Sequence, residues 1–275
     1  MKILIYVTGS ISCYKAYDLT RELSKNGHLI KVILSKGAES FISPELFKWL
    51  GAEDIYLSTS DFKETKSILH IELARWCDQF VVAPLSANSI SKLSNGHADD
   101  LGQSVFLALE PKKPSLLFPA MNSNMLNHPA TKQNIENLKL MNQTHVFPTQ
   151  SGVLACMEEG EGKLLTVQNI INLIESFPLS KTKIQKSVLI STGASLNPID
   201  DIRFISNPAS GKTGKIFAKK LLQDGYNVTV IFGGTNNSLF DDFSHHPNLT
   251  IEKASSTNDF YTKVNKHFKS CDLYI

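Results

Sequence analysis

The sequence predicts an α/β fold with a doubly wound parallel sheet, and three observations carry that prediction. Short, nearly continuous apolar runs recur, beginning with Lys2 to Val7 and returning at Leu29 to Leu34; strands covered on both faces, as parallel sheets provide, have this composition. Helix-patterned stretches separate the runs, so the order is strand, loop, helix, strand. After a polar, lysine-rich piece, Pro178 to Lys186, the same series starts again at Ser187. This change of composition marks a domain boundary: residues 1–177, a linker 178–186, and the start of a second unit over 187–275.

Taken in order, the first strand ends at Thr8-Gly9-Ser10, a helix runs to about Asn26, and Gly27 ends it. Backbone N–H groups at such a helix start suit a phosphate. No GxGxxG is present, so Gly9-Ser10, with Ser12 and the Ser35 hydroxyl after the second strand, fits a mononucleotide phosphate or an ordinary tight turn. Glu45 to Leu50 is predicted helical, and the polar stretch from there to Lys66 irregular. Gln79 to Ala83 is the next strand, ended by Pro84, with Ser86 capping a helix that contains Asn88. His70 is placed before a short helix. Asp99 and Asp100 precede a helix over Leu101 to Leu109, and at least one of them reads as its cap. Ser115 to Phe118 forms a strand that Pro119 stops, followed by Asn122 and a helix over His128 to Leu138. Thr144 to Phe147 is a strand, and the glycine-bearing stretch Ser151 to Lys163 reads as a mobile loop of the kind that serves as a lid. A helix over Thr166 to Phe177 closes the first series. The second has strands at Ser187 to Ser191 and Asn227 to Phe232, helices at Ser210 to Asp224 and Asn258 to Phe268, and a further strand beginning at Asp272. Gly193 to Gly211 is its candidate ligand loop. Ser210-Gly211-Lys212-Thr213 is not a P-loop, because Ser206 stands where the first glycine is required.

Composition excludes several function classes. The 28 basic and 26 acidic residues leave a net charge of +2 with no dense basic run, which gives nucleic-acid binding no electrostatic support. No apolar run approaches membrane length, and the reading is a cytoplasmic protein. Cys13, Cys77, Cys156 and Cys271 are far apart without CxxC spacing, which argues against a zinc site or a disulfide frame.

Among candidate site residues, Asn122 follows the carboxyl end of a strand, where open α/β sheets bind ligands. Its amide can hold a carboxylate or another amide, or bond its own backbone in a turn. His70 is a possible acid or base if a ligand comes near it, although a lone histidine is more often structural. Cys156 can deliver a proton if its loop closes over a substrate, or simply be buried.

These stretches coincide with a known pattern. TGSISCYKA at Thr8, HIEL at His70, APLSANSISKLSNGHADDL at Ala83, PAMNSNM at Pro119 and SGVLACMEEGEGK at Ser151 resemble the homo-oligomeric flavin-containing cysteine decarboxylases. VLISTGASLNPIDDIRFISNPASGKTG, from Val188, resembles the opening of phosphopantothenate–cysteine ligase. The resemblance implies a flavodoxin-like sheet followed by the start of a Rossmann-like domain, with FMN held between the subunits of a homotrimer. It places Gly9, Ser10, Ile11, Ser35, Ser86 and Asn88 at FMN, and makes His70 the base, Asn122 the holder of the substrate carboxylate and Cys156 the proton donor. It adds Met125, Ala155 and Lys163 to the substrate site and puts Arg203 and Asn207 at an acyl-cytidylate. The implied reaction is FMN-dependent decarboxylation of 4′-phospho-N-pantothenoylcysteine. The cysteine thiol end is oxidised, the resulting thioaldehyde accepts the electrons released with CO2, and hydride return yields 4′-phosphopantetheine.

The chain departs from the pattern at Met157, where glycine is usual, and at Lys163, where arginine is usual and a bidentate fork is lost. Ala83 to Asn88 varies the usual APATAN, and a Glu is replaced around Asn197-Pro198. Most of the CTP and catalytic-lysine region would lie beyond Ile275, so the expectation is a truncated ligase part, with CTP and Mg2+ needed only by a complete parent. Two alternatives are a decarboxylase acting on another C-terminal cysteine substrate and a flavin-binding module without turnover.

Overall fold

The computed structural model describes residues 1–59, 68–141, 143–153, 155, 157–177, 186–234, 236 and 238–275. It divides into two compact units, Met1–Ile171 and Asn172–Ile275. The expected linker, apart from Lys186, falls outside the described residues.

The first unit runs β1 (Lys2–Val7), α1 (Lys15–Lys25), β2 (Leu29–Leu34), α2 (Lys36–Glu39), α3 (Glu45–Trp49), β3 (Ala52–Leu57), α4 (Leu69–Trp76) and β4 (Gln79–Leu85). It continues through α5 (Ala87–Ser94), α6 (Leu101–Ala108), β5 (Ser115–Pro119), α7 (Ser123–Asn127), α8 (Pro129–Leu140) and β6 (Thr144–Val146). A hairpin of β7 (Gln150–Val153) and β8 (Glu159–Lys163) leads to α9 (Val167–Ser176), in which the division between the units falls. Six strands form one parallel sheet of order β3-β2-β1-β4-β5-β6. The flavodoxin-like, doubly wound sheet is thus present in a six-stranded version. Its central strands are largely apolar because helices cover both faces: all of β4 and β5 is buried, and Tyr6, Phe80, Leu85, Ile90 and Val105 share one core.

Several elements differ from the sequence reading, each for a physical reason. The stretch expected to be irregular contains β3, an edge strand paired only with β2; its Glu53 and Asp54 are exposed, so it lacks the apolar signature of a central strand. Pro84 does not end β4, which continues to Leu85 across a register shift against β5 where the missing N–H is tolerated. His70 lies within α4 rather than before it. The expected mobile loop from Ser151 is an antiparallel hairpin whose strands, QSGV and EGEGK, show no apolar alternation.

The second unit comprises β9 (Ser187–Gly193), β10 (Leu196–Pro198), β11 (Phe204–Ser206), α10 (Lys212–Gln223), β12 (Asn227–Gly233), β13 (Leu249–Lys253), α11 (Thr257–Phe268) and β14 (Leu273–Tyr274). Four strands pair in parallel in the order β13-β12-β9-β14, and β10 and β11 make a separate hairpin within the expected ligand loop. β13 has no counterpart in the sequence reading, since its Thr250 and Lys253 are exposed and interrupt the pattern. Among the described residues, no helix is long and apolar enough to cross a membrane.

Candidate active site

Strand order reverses between β1 and β4, so the chain leaves their carboxyl ends toward opposite faces and a crevice opens between the departing loops. A cavity of about 530 Å³ lies at that point. Its floor is built by backbone that short side chains tie together. The buried Thr8 hydroxyl donates to the Pro84 carbonyl at 2.8 Å and accepts the Ser86 N–H at 2.8 Å, joining the loops after β1 and β4. Ser10 Oγ reaches the Ala120 carbonyl at 3.4 Å and so adds the loop after β5. Gly9 runs against Gly37 so closely that a Cβ on Gly9 would stand 2.9 Å from the Gly37 backbone; a side chain there would push the two loops apart.

From that floor the chain makes one 3-10 turn, Ile11–Tyr14, and enters α1. Ser10, Ile11, Ser12, Tyr14 and Lys15 line the cavity on this side, and Ser86 and Ala87 line it at the start of α5, where Ser86 Oγ accepts the Ser89 N–H at 3.3 Å. The third side comes from Ala120, Met121, Asn122 and Met125. The β7–β8 hairpin supplies Val153, Ala155, Gly162 and Lys163. It is docked by the Met121 N–H on the Gly162 carbonyl at 3.0 Å and by the Ser123 hydroxyl on the Glu161 carbonyl. Gly162 is required at this seam: its φ is +120° and a Cβ would meet the Met121 carbonyl oxygen at 2.1 Å.

The electrostatics favour anions. Burial, and then the Lys163 ammonium, hold the Lys15 ammonium below the usual lysine range. Two cations that disfavour each other in one cavity are relieved by a bound negative group. Apolar Ile11, Ala87 and Met121 beside Ser10, Ser12 and Lys15 suit a ligand with a planar apolar ring and an anionic tail, which are the features of FMN.

Of the residues singled out in the sequence, Gly9, Ser10, Ile11, Ser86, Asn122, Met125, Ala155 and Lys163 meet in this one cavity. Asn122 makes the turn bond weighed for it, and its amide also faces a carboxylate of the protein itself. Its Oδ1 accepts the Asn124 N–H at 2.8 Å, capping α7, while its Nδ2 lies 3.5 Å from Glu158 Oε2. Ser35 does not line the cavity; it is buried and caps α2, accepting the Ala38 N–H at 3.2 Å. Asn88 is exposed in the first turn of α5, and His70 is half-buried near the start of α4, both away from the cavity lining. Cys156 lies outside the described residues. Ser12, named with Gly9 and Ser10 for a phosphate, also lines the cavity, whereas Lys15 and Met121 were not singled out. The signal for Lys15 was its spacing from Ile11 and Ser12, which places all three on one side of a helix start.

In the second unit, Arg203 lines a separate cavity of about 400 Å³ with Phe204, Ser255 and Ser256. Its guanidinium is 2.6 Å from Asp200, whose carboxyl it holds below the usual range. Asn207 does not line that cavity; its Oδ1 accepts the Ala209 N–H at 3.0 Å in an exposed turn.

Comparison with known proteins follows the same division. The Flavoprotein family matches residues 1–178, and the DNA/pantothenate metabolism flavoprotein C-terminal domain matches residues 184–275. The chain is 37% identical over 234 residues to the coenzyme A biosynthesis bifunctional protein CoaBC of Bacillus subtilis (strain 168), covering 84% of the chain and 57% of that protein. It is 39% identical over 174 residues to a probable phosphopantothenoylcysteine decarboxylase of Streptococcus mutans, covering 63% of the chain and 97% of that protein. The chain thus spans little more than half the length of the Bacillus relative. Among solved structures, a variant of PPC decarboxylase complexed with pantothenoylaminoethenethiol superposes with a TM-score of 0.57 at 26% identity, covering 63% of this chain and 95% of that one. The FMN binding protein AtHal3 gives a TM-score of 0.54 at 27% identity, covering 63% and 94% respectively.

Proposed function

The chain belongs to the flavoprotein family, and from that membership we propose that residues 1–177 form an FMN-dependent decarboxylase of 4′-phospho-N-pantothenoylcysteine. The product is 4′-phosphopantetheine, a step of coenzyme A biosynthesis. The observation that carries this reading is the convergence of eight motif residues, from four separate segments, on one cavity that also holds two ammonium groups. The Bacillus and Streptococcus relatives, named for coenzyme A biosynthesis and phosphopantothenoylcysteine decarboxylation, support it.

FMN would rest on the Gly9–Ser12 backbone and the Ser86 hydroxyl, where it supplies the two-electron oxidation and re-reduction of the cysteine thiol end. The protein's own residues bind and orient. Asn122 Nδ2 donates to the substrate carboxylate from a side chain whose other end is pinned by the α7 cap. Lys15 and Lys163 provide positive charge for a substrate that carries both a phosphate and a carboxylate. The β7–β8 hairpin covers the mouth and keeps water from the reacting atoms. In this reading Cys156 delivers the closing proton. His70 does not line the cavity of its own chain, so in this reading it acts as the base at the site of a neighbouring copy within a homotrimer. The protein would act in the cytoplasm. Residues 187–275 would form the beginning of a ligase-like domain after the 178–186 linker. Ligation of cysteine to 4′-phosphopantothenate, with CTP and Mg2+, is proposed only for a longer parent in which Arg203 and Asn207 handle the acyl-cytidylate.

The test is mass spectrometry of the purified, flavin-loaded protein incubated with 4′-phospho-N-pantothenoylcysteine. Loss of CO2 is expected. A yellow protein that leaves this substrate intact would instead support another C-terminal cysteine substrate or a binding role.

A further inference from the structure

The side-chain amide that the decarboxylase reading reserves for the substrate carboxylate already faces a carboxylate of the protein. Glu158 Oε2 lies 3.5 Å from Asn122 Nδ2, at the long end of hydrogen bonding. Three further observations make this contact more than an incidental surface meeting. Asn122 is not free to turn away, because its Oδ1 is held by the Asn124 N–H at 2.8 Å, which leaves Nδ2 directed at the hairpin. The hairpin base is fixed by the Met121–Gly162 and Ser123–Glu161 hydrogen bonds, so Glu158 is presented from an anchored frame. The residue that aims it, Met157, has φ of 65°, a left-handed conformation uncommon for a side chain of this kind, and is itself fully outside the packing at 86% exposure.

From this geometry, and resting on the decarboxylase reading above, we propose that Glu158 is an internal competitor of the substrate: its carboxylate occupies Asn122 in the resting site and must be displaced by the carboxylate that is to be lost. The contact sets a threshold for entry. Ligands that bring a carboxylate to Asn122 exchange one charge-assisted hydrogen bond for another, while a product lacking that carboxylate meets the Glu158 contact intact. Decarboxylation therefore returns Asn122 to Glu158. The contact thus weakens binding of the carboxylate-bearing substrate and leaves binding of the product unchanged. Because only the fraction of molecules with Asn122 available binds substrate well, removing Glu158 raises apparent affinity by the inverse of that fraction.

The experiment compares wild type, Glu158→Ala and Glu159→Ala in the flavin-loaded full chain. Glu159 is the neighbouring exposed carboxylate and controls for charge alone. Calorimetric titration measures binding of 4′-phospho-N-pantothenoylcysteine and, separately, of 4′-phosphopantetheine. We expect Glu158→Ala to bind the carboxylate-bearing compound about tenfold more tightly, the effect of a contact formed in roughly nine molecules of ten. Affinity for 4′-phosphopantetheine should stay within about twofold of wild type, since that ligand does not compete for Asn122. Glu159→Ala should leave both affinities within the same margin. Unchanged or weaker substrate binding in Glu158→Ala overturns the proposal, as does equal tightening in Glu159→Ala or equal tightening toward both ligands. A wild-type protein that binds neither compound overturns the decarboxylase reading, and the competitor with it. Binding of both with no response to Glu158→Ala overturns the competitor alone.

Discussion

Two residues, Gly162 in β8 and Asn122 in the loop after β5, decide how the hairpin and the substrate meet. Gly162 tolerates no side chain, because the backbone there is left-handed and the Met121 carbonyl fills the space a Cβ would take. Gly162→Ala should cost about 1–3 kcal/mol of local strain, relieved by undocking the hairpin. The expected outcome is a raised KM with flavin content unchanged, and an unaltered KM would show the seam to be dispensable. Asn122 can be tested by charge. Asn122→Asp keeps the α7 cap, since a carboxylate accepts the Asn124 N–H equally well, but sets a negative charge against the substrate carboxylate. Turnover should fall at least about a hundredfold as repulsion replaces a charge-assisted hydrogen bond, while the flavin spectrum persists. Wild-type turnover in this variant would remove Asn122 from the site.

Among elements, α6 shows a capping residue drawn into the core. Asp100 caps it through the Gln103 N–H at 2.9 Å and also accepts the hydroxyl of Tyr6, a fully buried β1 residue, at 2.6 Å. Burial raises the Asp100 carboxyl above its ordinary range despite the Tyr6 hydrogen bond, and the phenol is pushed well above its own range by burial and by Asp100. A raised carboxyl pKa in the folded state means that Asp100 stabilises most below the ordinary carboxylate range. That contribution is lost as pH rises through the raised value. Asp100→Asn imitates the protonated form, so the stability of the variant relative to wild type should improve between pH 4 and pH 7. Thermal unfolding at the two pH values checks this; the same difference in Tm at both would exclude the linkage. The sequence marked Asp99 and Asp100 as capping candidates, and only the packing separates them: Asp100 turns inward, whereas Asp99 pairs with Lys92 at the surface.

For the whole molecule, the two compact units each carry their own parallel sheet, and the candidate FMN cavity belongs entirely to the first. A ligand stabilises only the unit that binds it. Flavin at a hundredfold excess over its Kd should therefore stabilise the first unit by about 2.7 kcal/mol and raise the calorimetric transition that includes it. A second-unit transition should remain in place, and a uniform shift of all unfolding would contradict a flavin site confined to residues 1–171.

By itself the sequence determined the class of sheet and the loops at its carboxyl ends, because parallel strands buried on both faces leave long apolar runs, while Ile11, Ser86, Met125, Ala155 and Lys163 came from the resemblance to a known family. The motifs punctuating those runs sit where strand order reverses. Lys15 was marked only by its spacing from Ile11 and Ser12, a signal that the structure makes plain by lining the cavity with all three. The resemblance places Ser35 and Asn88 at the cofactor, and in the structure Ser35 caps α2 while Asn88 is exposed outside the cavity lining. The edge strand β3 and the β7–β8 hairpin were hidden for a common reason: one-sided or absent burial leaves no apolar period to read, and their pairing is set by backbone hydrogen bonds that any sequence can make. Only the tertiary structure decided that Asn122 faces Glu158, since that contact depends on where a left-handed turn at Met157 and the seam at Gly162 carry the hairpin, and neither direction is encoded in the spacing of residues along the chain.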